Sequence, residues 1–292
     1  MKISIVGAGS IGLLYGYYLA DKHEVTYYIR NEKQIDVINE LGIALTNNIQ
    51  TKRVKADYIK KYKKHDLLIL ALKQTDLKSF INENLAILKQ QPILFLQNGL
   101  NHLEYINNYK LEAIIGIVEH GAVKKGNNEV SHLGRGSTKI ANYSQNTYQL
   151  EEIISNLNDK TLNFIYYKDW KEISYEKLIV NAVINPLTAL FDVPNGEIIN
   201  NQELNILSQN ICKEASEILK FDFDEQWENI KRVSTLTSQN TSSMRADLAA
   251  NRITEIDAIV GYLLMKSNLN SPYLNFIFNS IKFLERRGEK DA

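Results

Sequence analysis

The stretch Lys2-Ile3-Ser4-Ile5-Val6-Gly7-Ala8-Gly9-Ser10-Ile11-Gly12 decides the fold of this 292-residue chain. Its first half is a short apolar run that reads as a buried strand. Its second half is a GxGxxG pattern, and an apolar helical stretch, Leu13–Ala20, follows. The glycine pattern alone is a weak signal, but between a strand and a helix it is a strong one. Gly7 permits the tight turn, Gly9 lets a ligand approach the backbone, and Gly12 allows helix and strand to pack closely. The helix start that follows favours an anion through its unpaired N–H groups and its dipole. Gly7, Ala8, Gly9, Ser10, Ile11 and Gly12 are therefore the candidate cradle for the pyrophosphate of a dinucleotide. The bland reading is a glycine-rich turn with no ligand.

Working outward, Val25–Ile29, Leu67–Leu72, Ile93–Leu96 and Ala113–Val118 are further compact apolar runs. Such runs suit strands buried on both faces, and the helical stretches between them suit right-handed βαβ crossovers. The expected fold class is α/β, with a doubly wound, mostly parallel sheet. After Val118 the sequence turns polar and Gly-rich through Tyr143, which predicts antiparallel strands at the sheet edge. A helix over 150–157 and a strand over 164–167 complete this half. From Trp170 the periodicity is helical almost throughout. The expected division is an N-terminal nucleotide-binding domain at 1–167 and an all-helical domain at 168–292.

Three positions beyond the cradle invite a ligand. Arg30 ends the second strand, where an Asp or Glu would bind a ribose 2′-hydroxyl; a guanidinium suits a 2′-phosphate instead, which favours NADP(H) over NAD. The alternative is a surface arginine. Lys73 and Asn98 each follow the carboxyl end of a strand, the side on which open parallel sheets bind ligands. Each also reads as a solvated lysine or a turn asparagine. In the second half, Lys177, Asn181 and Asn185 are spaced four apart, so each step rotates about 40° and they share one helix face. Almost everything else from Leu178 to Leu190 is apolar, Thr188 excepted. Such a polar stripe lines a wet cavity or finds buried partners. Pro186, inside the same helix, cannot donate to the Ala182 carbonyl.

Composition narrows the classes. Lys plus Arg equals Asp plus Glu at 34 each, so charge gives no reason to expect nucleic acid or an anionic membrane as partner. No apolar run approaches the roughly 20 residues that span a bilayer, and the N-terminus does not read as a signal peptide. Cys212 is the single cysteine, which fits a reducing cytoplasm, and the five histidines lack zinc-ligand spacing, so no metal is expected. His120 reads as structural. A homodimer and a monomer both stay open.

Two later runs carry a resemblance. Lys177-Leu178-Ile179-Val180-Asn181…Asn185-Pro186 looks like the signature helix of the ketopantoate reductase family. Ser242-Ser243-Met244…Arg252-Ile253-Thr254-Glu255-Ile256-Asp257 resembles its second signature. Gly7–Gly12, Arg30, Lys73, Gln97-Asn98-Gly99, Gly121-Ala122 and Pro194-Asn195-Gly196 match in order and approximate spacing, so the likeness covers nearly the whole chain. It implies a Rossmann domain, a helical domain and an active site between them, with NADPH reducing the ketone of 2-dehydropantoate in pantothenate biosynthesis. It assigns Lys177 as general acid. Asn98, Asn181, Asn185, Asn195 and Ser243 fall at substrate positions, Glu255 orients substrate and touches the cofactor ribose, and Lys73, Asn98 and Ala122 also contact the cofactor. Val260 and Asn251 depart from the pattern at positions without assigned chemistry. The local reading of Thr254–Asp257 is a helix start, with Thr254 as N-cap and Asp257 closing a capping box. Rival readings are a reductase of another branched 2-keto acid and a cofactor-binding sensor without turnover.

Overall fold

The computed structural model describes residues 1–46, 48, 50–144 and 150–290. Contacts divide the chain into two compact units. The first holds Met1–Gln97 and His102–Ile173; the second holds Asn98–Asn101 and the chain from Ser174 onward.

The first unit contains all twelve strands found among the described residues: β1 (Lys2–Val6), β2 (Glu24–Ile29), β3 (Ile43–Leu45), β4 (Thr51–Lys52), β5 (Lys55–Tyr58), β6 (Leu67–Leu70), β7 (Ile93–Phe95), β8 (Ala113–Val118), β9 (Gly121–Lys124), β10 (Glu129–Gly134), β11 (Thr138–Asn142) and β12 (Phe164–Tyr166). Its helices are α1 (Ser10–Leu19), α2 (Glu32–Leu41), α3 (Gln74–Leu88), α4 (His102–Tyr109) and α5 (Leu150–Leu157). The main sheet has the order β12-β11-β8-β7-β6-β1-β2-β5. The run from β5 to β8 is parallel throughout, β11 is antiparallel to β8, and β12 is parallel to β11. This is a Rossmann-like sheet. Ile3, Ile5 and all of Leu67–Leu70 are fully enclosed, as strands covered on both faces must be.

Two features differ from the sequence reading. β9 and β10 pair antiparallel as expected, but they do not sit at the edge of the main sheet. They belong to a separate small sheet of order β4-β3-β10-β9, joined through parallel pairing of β10 with β3. β3, β4 and β5 carry too few consecutive apolar residues to announce themselves; β5, Lys55–Tyr58, is an edge strand, and an edge strand does not need apolar side chains on all sides.

α1 lies close on β2 for a reason written in its sequence. A Cβ at Gly16 would overlap the Tyr27 ring. The glycine admits that ring, whose hydroxyl donates to the Gly12 carbonyl at 2.7 Å. The start of α1, and with it the glycine turn, is fixed to the sheet by a buried side chain.

The second unit is helical: the body of α6 (Trp170–Phe191), then α7 (Glu197–Asn200), α8 (Gln202–Leu219), α9 (Phe223–Leu236), α10 (Ser243–Ala249), α11 (Tyr262–Lys266) and α12 (Pro272–Lys290), with one π-helical turn at Asp257–Gly261. Its enclosed residues include Ile179, Ala182, Val183 and Leu187 of α6, Ile211, Cys212 and Ala215 of α8, and Leu274, Ile277 and Ile281 of α12. Burial pushes the Cys212 thiol up to about 11, so it is an inert packing group. Among the described residues no helix is long and apolar enough to cross a membrane.

Candidate active site

In the first unit the glycine turn is dictated residue by residue. Gly7 has φ +103°, and a Cβ there would stand 2.8 Å from the Ala71 carbonyl oxygen. Gly12 is packed so closely that a Cβ would overlap the Gly7 carbonyl. Gly9 is different. Its φ of −79° suits any residue, and a Cβ there would meet nothing within 4 Å. The protein itself has no need of a glycine at this position. Open space over a bare backbone, at the start of α1, fits the pyrophosphate of a dinucleotide. The flanking residues are held firmly. The Ala8 carbonyl accepts from Gln34 Nε2 (3.0 Å) and from Lys124 Nζ (3.1 Å). Ser10 Oγ accepts from the Lys124 amide (3.3 Å). Lys124 is exposed as a residue, but partial desolvation of its ammonium against the turn pushes it below its ordinary value.

Arg30 stands exposed just past β2, and its Nη1 donates to Asp76 Oδ1 at 2.6 Å. The two line a groove of about 370 Å³ with Tyr58, Lys60, Phe80 and Glu83. Two cations and two carboxylates therefore balance there. Lys73 is half-buried at the residue preceding α3, beyond the end of β6. Ile11 is half-buried in the first turn of α1. Ala122 lies on β9 opposite His132. His120 is closed off within the fold: Nε2 donates to the Leu162 carbonyl (3.1 Å), while Nδ1 accepts from the Gly136 amide and lies 3.3 Å from His132 Nε2. Burial holds it below the usual histidine value, so it is a neutral structural group.

The second unit carries the polar helix. Along α6 the segments Leu178–Val180, Ala182–Ile184 and Pro186–Ala189 are buried, whereas Lys177, Asn181 and Asn185 are half-buried. The three polar groups thus share the one stripe that the packing leaves accessible. Thr188 is not part of it. It is fully enclosed, bonded to the Ile184 carbonyl (2.7 Å) and to Ser242 Oγ (2.8 Å), the cap of α10. Ser243, the next residue, is exposed.

Asn98 and Glu255, far apart in sequence, meet directly: Asn98 Nδ2 donates to Glu255 Oε2 at 3.1 Å. The backbone explains why. Gly99 has φ +72°, and a side chain there would strike Ala258. The Leu100 amide donates to the Ala258 carbonyl at 3.0 Å, within the π-helical turn. The wide turn offers a carbonyl to a neighbouring segment, and the Asn98–Asn101 segment docks on it.

Thr254 does not form the expected capping box. Its hydroxyl accepts from the Ile256 amide (3.2 Å), but Asp257 is paired with Lys282 (2.9 Å). The partner of Thr254 is Glu285 of α12, whose Oε1 accepts from both the Thr254 amide (2.8 Å) and its hydroxyl (2.7 Å). A buried carboxylate from a later helix thus holds the residue before Glu255. Asn195 is buried, donating to Thr237 Oγ1 at 3.0 Å, with its Oδ1 left without a hydrogen-bond partner.

Gln34, Asp76, Lys124 and Glu285 were not singled out from the sequence. Gln34 alone gave a local signal, as a polar residue on the buried side of an amphipathic helix. Among the described residues no cluster of three His, Cys, Asp or Glu could hold a metal.

Comparison with known proteins adds an independent line. Two family sequence profiles match in order: "Ketopantoate reductase PanE/ApbA" over residues 3–145 and "Ketopantoate reductase PanE/ApbA C terminal" over residues 169–285. The 2-dehydropantoate 2-reductase of Bacillus subtilis is 37% identical, with 99% of each chain covered. The crystal structure of a probable 2-dehydropantoate 2-reductase from Bacillus subtilis superposes with a TM-score of 0.85 at 35% identity, covering 97% of this chain and 100% of that one. A D-mandelate dehydrogenase solved with NADH and anilino(oxo)acetate shares the fold, with a TM-score of 0.90 at 22% identity over 99% of this chain and 100% of that one.

Proposed function

Because the chain belongs to the PanE/ApbA ketopantoate reductase family, we propose that it reduces the ketone of 2-dehydropantoate to the alcohol of pantoate with NADPH. Membership makes it an oxidoreductase with a nucleotide cofactor and a small-molecule substrate. The finer assignment rests above all on one observation: Lys177, Asn181 and Asn185 form the accessible polar stripe of a helix buried elsewhere along its central turns.

The cofactor supplies a hydride to the ketone carbon. Within the first unit, the Gly7–Gly12 turn, with Ala8, Ser10 and Ile11, receives its pyrophosphate. Lys73 and the backbone of Ala122 add contacts. Arg30 takes the 2′-phosphate, exchanging Asp76 for it, because a phosphate dianion offers the guanidinium more charge and more acceptors than a carboxylate. In the second unit, the Lys177 ammonium hydrogen-bonds the ketone oxygen, stabilises the negative charge that develops there, and transfers its proton to it. Asn181, Asn185 and Asn195 orient the substrate by hydrogen bonds. Ser243 binds the carboxylate. Glu255, held by Asn98, receives the substrate hydroxyl and the cofactor ribose, and Asn98 contacts both ligands. Placing the carbonyl against both donors is the larger part of the catalysis.

The test is NADPH oxidation followed by absorbance, with 2-dehydropantoate and a panel of branched 2-keto acids. Turnover confined to 2-dehydropantoate supports the reaction as stated. Faster turnover of another keto acid replaces the substrate and keeps the mechanism. Tight NADPH binding without turnover of any keto acid assigns the chain as a cofactor sensor.

A further inference from the structure

Lys124 is the residue of the first unit whose placement the reading above leaves unused. It ends β9, in register with Val130 of β10, and strand alternation puts it on the same face as Ala122. Val123 points to the other face and is 40% exposed. Lys124 grips the glycine turn on both sides of Gly9: the amide donates to Ser10 Oγ and the ammonium to the Ala8 carbonyl. Between those two residues lies Gly9, the position with open space above it.

The Ala8 carbonyl does not require a lysine. A carbonyl is satisfied by one good donor, and the buried Gln34 already supplies it at 3.0 Å. Lys124 is an exposed residue, yet its ammonium is folded back onto the turn rather than left in bulk water, which lowers its pKa from the ordinary lysine value. A cation held so costs more than a neutral donor doing the same task. It has three donors and uses one on Ala8. A cation tethered beside a bare backbone, with two donors left for a ligand and open space above Gly9, suits an anion.

We propose that Lys124 is a ligand of the cofactor pyrophosphate, supplying from the β9 strand a positive charge that the glycine turn itself lacks. This rests on the reading of the Gly7–Gly12 turn as a dinucleotide site. Because the pyrophosphate is common to NADPH, NADH and ADP-ribose, the contribution of Lys124 is the same for all three. Arg30, by contrast, acts on NADPH alone.

The experiment is calorimetric binding of NADPH, NADH and ADP-ribose to the wild-type protein and to Lys124→Met and Lys124→Gln. A charge-assisted hydrogen bond corresponds to at least about tenfold in affinity. The expected result is a loss of that size, equal for the three ligands and equal in the two variants. The wild-type protein should also show a steeper weakening with added salt than either variant. Gln keeps a donor within reach of Ala8 without the charge. Wild-type affinity in Lys124→Gln would therefore reduce Lys124 to a tether of the turn and overturn the proposal. So would a loss confined to NADPH, which would move the contact to the 2′-phosphate. Failure of the wild-type protein to bind any of the three would instead refute the dinucleotide reading itself.

Discussion

The glycine turn of the first unit and the polar helix of the second answer to different physical demands. The turn is a backbone site. Gly7 and Gly12 are required by a positive φ and by close packing within a few residues of chain and one neighbouring strand. The residues proposed for the substrate in the second unit act through side chains, and two of the segments that carry them are held by remote partners: Asn98 by Glu255, and Thr254, the neighbour of Glu255, by Glu285. A backbone site is specified locally, and at Gly7 and Gly12 the fold itself admits no Cβ. A side-chain site is specified by tertiary contacts, and its parts can be removed one at a time without breaking the fold. The contrast predicts that the two regions fail differently when mutated.

The largest effect separates chemistry from cofactor binding. Lys177→Ala should lower turnover at least about a hundredfold, the scale of losing a general acid. The affinity for NADPH, measured separately by titration, should stay close to that of the wild-type protein. A variant with near-normal turnover would remove Lys177 from the mechanism and leave the polar stripe without its principal role.

Next in size is Glu285→Ala, which asks whether the second site depends on its remote support. The change leaves the buried Thr254 amide and hydroxyl without an acceptor, at a cost of roughly 2 kcal/mol, read as a lower denaturation midpoint. It should also alter the acid limb of stability. Burial alone would raise the Glu285 carboxyl, but hydrogen bonds from Lys282 and Thr254 outweigh it and hold the group below its ordinary value. The folded value is thus below the unfolded one. Its contribution is present above the unfolded carboxylate range, near pH 4.3, and is lost as pH falls through the folded value. The variant should lack this component. An unchanged midpoint and an unchanged acid limb would show that Glu255 needs no brace from α12.

The two glycines then test the first site. Gly9→Ala should leave the melting temperature unchanged, since a Cβ meets nothing within 4 Å, yet weaken NADPH and NADH at least about tenfold by occupying the ligand's space. Gly7→Ala should do the opposite at first reading, lowering stability by more than about 1 kcal/mol through strain at φ +103°. Were Gly9→Ala to bind cofactor normally, the open space would belong to no ligand.

This difference also explains what was legible in the sequence. β1, the turn and α1 were plain because strand, glycines and helix are adjacent in the chain. The buried runs of β2, β6, β7 and β8 were plain for the same reason. The stripe of Lys177, Asn181 and Asn185 was readable because helical spacing is local. The placement of β9 and β10 was not, since alternation identifies a strand but not its partner, and β3 lies far back in the sequence. β5 lacked an apolar run. Glu285, Asp76 and Lys124 carried no local mark either: each matters through one residue distant in sequence, and charged residues at such positions look like solvated surface.

The smallest effect lies where the two kinds of site overlap, at Arg30. Its position at the end of β2 is set by the backbone, but its partner, Asp76, comes from the first turn of α3. A half-exposed ion pair is worth little to stability, so Asp76→Asn should barely move the melting temperature. It should nonetheless change selection between cofactors. If Arg30 takes the 2′-phosphate as proposed, the carboxylate competes with that phosphate for the guanidinium and repels it, and the groove lining holds no surplus positive charge to compensate. Removing that one negative charge should tighten NADPH about threefold, in line with a screened surface charge, and leave NADH within error. Weaker NADPH binding in Asp76→Asn would reverse the assignment: Asp76 would then be the group that aims Arg30 at the phosphate, and even the cofactor's specificity contact would depend on a remote side chain, as the second site does.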